Sequence, residues 1–224
     1  MNRLNFAVYD LESANLYTDP ERLCILEIAA VVLDGRSLEI IEGAQFHSFV
    51  KPRHVISEVL PDDPLIQDGA LAVNGISRSS IKDFPCEQMV WTNFVDFCLK
   101  YKTGNSEFQR VVPVGYNNNG FDDIIVKSMK IRYPNLKIPF HKTISLDLMK
   151  DLYQWSEGIT GPTAPEKLSF DYWRDYLELP KLDSGKAHEA LYDVLQTAII
   201  FKRLQDWRRR LVKKYPLKGS FAVK

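Results

Sequence analysis

Eleven residues from Leu23 to Leu33, Leu-Cys-Ile-Leu-Glu-Ile-Ala-Ala-Val-Val-Leu, form the strongest apolar run in the chain, broken only by Glu27. Aliphatic and β-branched residues bounded by Pro20 on one side and Asp34-Gly35 on the other read as a β-strand. The stretch from Ile25 to Leu33 is far shorter than the roughly 20 apolar residues a membrane helix needs, so no membrane-spanning segment is expected. Leu4 to Asp10 gives a strand before it and Glu39 to Val50 a strand after it, which makes Asp34-Gly35 a natural hairpin turn.

Downstream the periodicity changes. Pro52 to Ser80, with Pro61, Pro64 and two glycines, predicts short helices and loops. Met89, Val90, Phe94, Phe97 and Cys98 recur at three- and four-residue spacing and predict a helix over Cys86 to Tyr101. A fourth strand is expected at Val111 to Tyr116, then a turn, and a helix from Phe121 to Tyr133 that Pro134 stops. Ile144 to Leu148 reads as a short fifth strand leading into a helix, and Gly158 to Pro165 as a loop. Glu166 to Leu177 reads as another helix. The longest helix is expected from about Ala187 to Tyr215, on an apolar stripe that includes Leu191, Val194, Ala198, Phe201, Leu204 and Trp207. This order predicts an α/β fold, a mixed sheet flanked by helices, in a single domain over residues 1–224.

Composition removes several classes. At 224 residues, 45% hydrophobic and 26% charged, the chain can bury a core and lies far from the mixture of disordered segments. Three cysteines (Cys24, Cys86, Cys98) without Cys-x-x-Cys spacing argue against a disulfide framework and a structural zinc site, and read as reduced, mostly buried thiols. Met1 to Asp10 has neither a long apolar segment nor a small-residue cleavage site, so the cytoplasm is the expected location. Formal charge is zero, but Lys202 to Lys224 holds nine basic residues against Asp206 alone, leaving an acidic body and a basic tail. Such a tail suits contact with phosphate, in competition with a solvated helix end whose cations match the helix dipole. Trp207 within it falls on the apolar stripe and is expected in the core.

Chemistry concentrates in three blocks. Asp10-Leu11-Glu12 sits at the end of the first strand, where alternation sends both carboxylates to one face and Leu11 to the other, toward the core. Asp19-Pro20-Glu21 has the same pattern but lies in a loop. The fourth strand runs into Gly115-Tyr116-Asn117-Asn118-Asn119-Gly120-Phe121-Asp122-Asp123, again bringing carboxylates to a strand end, with Phe121 as a core anchor. In the last block His188 and Asp193 are five apart, about 140° on a helical wheel, so they converge only if His188 lies on the approach to the helix. His188-Glu189 does not continue as His-Glu-x-x-His, because position 192 is Tyr, and Gly158 to Gly161 lacks the Lys-Ser/Thr of a phosphate loop. Carboxylates without soft ligands select Mg²⁺ or Mn²⁺.

The three blocks, in this order, resemble the DEDDh branch of the 3′-to-5′ exonucleases: Asp-x-Glu, then Asn118-x-x-Phe121-Asp122, then His188-x-x-x-x-Asp193. Within it the exonuclease I type is most similar, through Gly115 to Asp123, Ala187 to Val194 and the Asn74-Gly75-Ile76 segment. The resemblance implies a ribonuclease H-like fold, a mixed β-sheet of about five strands with helices on both faces. It also implies metal-dependent release of 5′-mononucleotides from the 3′ ends of single-stranded DNA. Two Mg²⁺ ions, replaceable by Mn²⁺, would sit about 3.5–4 Å apart. Asp10, Glu12 and Asp193 would hold the first, Asp10 would bridge to the second, and Asp122 would reach the second. His188 would take the proton of the attacking water. Ser13, Ala14 and Leu16 are expected to contact or wedge the terminal nucleotides, with Asn118 and Phe121 as further substrate-binding residues. Alternatives with the same site are an exoribonuclease and a proofreading exonuclease; one of another class is a catalytically silent nucleic-acid-binding module. No protein partner is indicated.

Overall fold

The computed structural model describes residues 3–161, 164–182, 185 and 188–215. The apolar run becomes strand β2 (Ile25–Leu33), buried at all nine positions. It is buried because it lies inside the sheet with helices over both faces, where no position faces water. β1 (Phe6–Ser13) and β3 (Ile40–Phe49) flank it in antiparallel register, and β4 (Val112–Gly115) and β5 (Leu146–Asp147) add in parallel beyond β1. The order is β3-β2-β1-β4-β5.

Alternation along β1 divides the core. Ala7, Tyr9 and Leu11 point to one face, against helices α2 (Glu87–Lys100) and α3 (Asp122–Arg132). Val8 points to the other, against α4 (Leu148–Ser156), α5 (Phe170–Tyr176) and α6 (Ala190–Lys214). A third apolar cluster lies beneath α1 (Asp68–Asn74) and takes in Ala14, Cys24, Leu26, Leu71 and Ile81. Buried side chains of this size each contribute about 1.5–3 kcal/mol of transfer free energy. One ion pair is also buried: Arg132 bonds both oxygens of Glu87 at 2.6 and 2.7 Å and donates to the carbonyls of Pro20 and Leu23. It ties α3 to α2 and to the chain entering β2.

Several expectations need correction. The first strand runs on to Ser13, so Asp10 and Glu12 lie within it. α5 starts at Phe170 rather than Glu166, because tyrosines take the preceding polar groups: the Glu166 N–H donates to Tyr172 Oη at 2.8 Å, and the Leu168 carbonyl accepts from Tyr116. α6 starts at Ala190, since His188 holds a left-handed φ of 66°. Cys24 and Cys98 are buried but Cys86, at the start of α2, is exposed. Trp207 is not in the core: it is 45% exposed and packs edge-on to Trp155, with ring centroids 4.1 Å apart. Part of the basic tail, residues 216–224, lies outside the described residues. Among the described residues no helix is long and apolar enough to cross a membrane.

Candidate active site

β1 carries Asp10 and Glu12 on the same face as Val8, and that face is crossed by α6 through Val194 and Ala198. Asp193, in the first turn of α6, therefore arrives beside the two β1 carboxylates. His188 precedes the helix, and its left-handed backbone turns its N–H onto Asp193 Oδ2 at 2.9 Å. The five-residue spacing thus converges because one partner lies outside regular helix. One oxygen or nitrogen each from Glu12, His188 and Asp193 all fall within 4.8 Å of one another.

Asp122 comes from the opposite side. The β4 strand ends at Gly115, where a Cβ would stand 2.6 Å from the Asn118 Cβ, so the Gly lets the turn fold back tightly. Asn117 then adopts a φ of 61°, which Asn tolerates better than most residues. The turn leads into α3, whose first residue is Asp122, and the Leu11 N–H donates to Asp122 Oδ1 at 3.1 Å. Below it, Asp123 accepts from Tyr9 Oη at 2.6 Å and Ser145 Oγ at 2.7 Å, and Asn118 Nδ2 donates to Ser145 at 3.0 Å. Asp147 caps α4 through the Met149 N–H and also holds the Asn117 N–H at 3.0 Å. These bonds lock the N-terminus of α3, and with it Asp122, against β1.

The four carboxylates and His188 line one cleft of about 880 Å³. Ser13, Leu16 and Phe121 line it too, Leu16 with 83% of its surface exposed. Ala14 and Asn118 do not. Ala14 is fully buried, its backbone bonded to Cys24 and Gln67, and Asn118 is buried in the network under the turn. Expected contacts of these two side chains with nucleotides are corrected to supporting roles beneath the cleft floor. The motif reading did not place Asn117 in the site, nor Gln67 and the α1 residues Ala70 and Val73, all of which line the cleft; Asn74, from the segment that carried part of the resemblance, lines it too. Asn74 Nδ2 bonds the Ser13 carbonyl at 3.1 Å, joining that wall to the end of β1.

A fifth carboxylate was overlooked as well. Glu27 on β2 lies directly across from Glu12 in the β1–β2 register, just before a bulge, and is buried. His47 Nε2, from β3, stands 2.7 Å from it. The visible signal was a single charge inside an apolar run.

Crowding these acids costs free energy as long as they are ionised without a countercharge. Burial, then the charges of Asp122, Glu12, Asp193 and Glu27, push Asp10 well above its ordinary value of 3.8. Glu12 is pushed from 4.5 up to about 8, by burial and then by Asp193, Glu27 and Asp122. Asp122 rises from 3.8 to about 7, mainly by burial, against the opposing pull of backbone N–H bonds from its own residue and Leu11. Asp193 is raised by burial, with the His188 N–H bond opposing. Neither the Asp10 nor the Glu12 carboxylate has a hydrogen-bonding partner among the described residues, and no Lys or Arg is among those lining the cleft. Hard oxygen donors in excess, unpaired by protein cations, are the chemistry of a divalent-cation site.

The chain matches the model of the RNase_T exonuclease family over residues 7–201. It belongs to that exonuclease family. Among curated proteins it is 28% identical to a Ribonuclease T of Buchnera aphidicola subsp. Cinara cedri, over 90% of this chain and 83% of that one. Among solved structures it is similar to cell-death related nuclease 4, with a TM-score of 0.65 and 20% identity, covering 92% of this chain and 65% of that one. It is also similar to the zinc-bound complex of Escherichia coli exonuclease I with single-stranded DNA, with a TM-score of 0.67 and 20% identity. That match covers 95% of this chain and 42% of the other, so the chain spans less than half of exonuclease I. The mixed five-stranded sheet flanked by helices is that of these exonuclease folds, the ribonuclease H-like architecture expected from the sequence.

Proposed function

We propose that this chain is a two-metal 3′-to-5′ exonuclease that removes 5′-mononucleotides from the ends of single-stranded DNA. The observation carrying the proposal is the convergence, in an exonuclease-family fold, of Asp10, Glu12, Asp122, Asp193 and His188 on one cleft that lacks Lys and Arg among its described lining residues. Asp10, Glu12, Asp122 and Asp193 would hold the ions, with Mg²⁺ as the resident and Mn²⁺ as a substitute. When bound, such a pair stabilises both the attacking and the leaving oxygen of an in-line phosphodiester displacement. The protein does the rest. His188, beside Glu12 and Asp193, accepts the proton of the attacking water. The Leu11 N–H and the His188 N–H fix one oxygen of Asp122 and of Asp193, leaving the other free for a ligand. Leu16 and Val73, exposed and apolar on the cleft lining, offer surfaces against which the terminal bases can stack.

Single-stranded DNA is favoured by the likeness to a fold seen with that ligand. The Ribonuclease T relative supports the second reading, an exoribonuclease with the same centre. Digestion of matched single-stranded DNA, duplex DNA and RNA in Mg²⁺ separates them: fastest loss of single-stranded DNA supports the proposal, and fastest loss of RNA replaces it with the second reading.

A further inference from the structure

Away from the cleft, α4, α5 and α6 enclose a groove of about 510 Å³. Its walls include Trp155, Trp173 and Trp207, three of the four tryptophans in the chain, together with Tyr176. Arg203, Trp207 and Arg210, at i, i+4 and i+7 on α6, share one face of that helix and line the groove alongside Asp206. Three neighbouring basic residues are committed elsewhere. Lys202 pairs with Glu39, Arg208 with Asp151 at 3.0 Å, and Arg209 donates to the carbonyls of Gly35 and Arg36. Arg203 and Arg210 make no ion pair with any described residue and are exposed. The indole N–H of Trp173 is buried against the groove with no acceptor among the described residues.

We infer that this groove is a subsite for the single strand upstream of the scissile bond. Aromatic rings beside unpaired guanidiniums are the means by which sequence-tolerant single-strand sites work, the rings stacking on bases and the cations tracking phosphates. The helix shared with the cleft, together with the charge of the two arginines, names the occupant. α6 begins with Asp193 in the cleft, and Arg203 and Arg210 follow roughly 15 and 25 Å along the same axis, a few nucleotides from the cut. A polynucleotide is the one polymer an exonuclease must hold at that cleft. Its phosphates match the two free guanidiniums, and the apolar walls between them suit a base.

The inference rests on the proposed exonuclease reading, and two readouts keep the failures apart. In the first, kcat/KM with Mg²⁺ is measured on a single-stranded dodecanucleotide and on a dinucleotide. The wild type prefers the longer strand, and Arg203→Ala with Arg210→Ala brings the ratio toward one. In the second, anisotropy of a labelled dodecanucleotide is followed without metal as salt is varied. The same double substitution flattens the log–log salt dependence by about 1.4, the share of two phosphate contacts on a single strand. Arg203→Lys with Arg210→Lys retains the slope, separating charge from fold. An unchanged ratio and slope overturn the subsite. So does tryptophan fluorescence that responds to an acidic aromatic peptide and not to the strand, which assigns the groove to a protein partner. Cleavage with no length preference sinks the groove alone; arginine-dependent binding of the dodecanucleotide with no cleavage sinks the exonuclease reading alone.

Discussion

Stripped of divalent cations, the protein loses stability as the pH rises from about 5 to about 8, the reverse of ordinary carboxylate behaviour. Glu12 carries the clearest share. Unfolded, it ionises near 4.5; folded, it keeps its proton up to about 8. Across that window the native state binds the proton that the unfolded state has released, so each further pH unit favours unfolding by about 1.36 kcal/mol. From about pH 5 to 8 this amounts to about 3.5 kcal/mol, and screening on the open side of the cleft reduces it to about 2 kcal/mol. For a chain of this length that lowers Tm by roughly 4–8 °C. Asp10 and Asp122 are raised too, so their contributions carry the same sign. Thermal melts in EDTA at the two pH values, for the wild type and for Glu12→Gln, measure the effect. The wild type loses stability with pH, Mg²⁺ restores it, and Glu12→Gln shows a shallower decline. A wild-type Tm that is flat or rises over this range in EDTA, or a Glu12→Gln slope equal to the wild type, would refute the reasoning.

Other outcomes follow from named contacts. His188→Ala lowers kcat by about 10²–10⁴-fold, the usual worth of a general base, while calorimetry still shows Mn²⁺ binding. Glu27→Gln removes a negative charge that raises Asp10, Glu12 and Asp193, so the acid limb of the pH–rate profile moves to lower pH; an unmoved limb removes Glu27 from the site's electrostatics. Arg132→Met strands the buried Glu87 carboxylate and costs about 3–5 kcal/mol, read as a fall in Tm of roughly 10 °C. Adding Glu87→Leu recovers much of that loss if the penalty is the unpaired charge.

Much of this architecture was legible in the sequence because its signals are local. The run from Leu23 to Leu33 is apolar at nearly every position because β2 is covered on both faces, and Asp10 and Glu12 share a side because a strand alternates. That His188 must lie outside regular helix if it is to meet Asp193 could be inferred from the wheel angle. What escaped depends on contacts between distant segments. Glu27 became a site residue only through its register opposite Glu12 and its pairing with His47 from a third strand. Ala14 and Asn118 were misassigned because the bulge after Glu12 and the tight turn at Gly115 bury them, and neither bend is written in a motif. Trp207 fits the apolar period of α6, yet that face has only α4 and α5 beside it and stays open as a groove. α5 begins late because Tyr116, from the end of β4, and Tyr172, from α5 itself, capture the backbone that would have formed its first turn.

The most direct measurement is a time course of a 5′-labelled single-stranded DNA oligonucleotide with the wild type and with Asp10→Asn, each in Mg²⁺ and in EDTA. The wild type in Mg²⁺ shortens the strand one nucleotide at a time from its 3′ end, and the other three reactions leave it intact. Release of the label as a mononucleotide from the outset, internal cuts, digestion that survives EDTA, or an Asp10→Asn protein as active as the wild type would contradict a carboxylate-held two-metal 3′-to-5′ exonuclease centre.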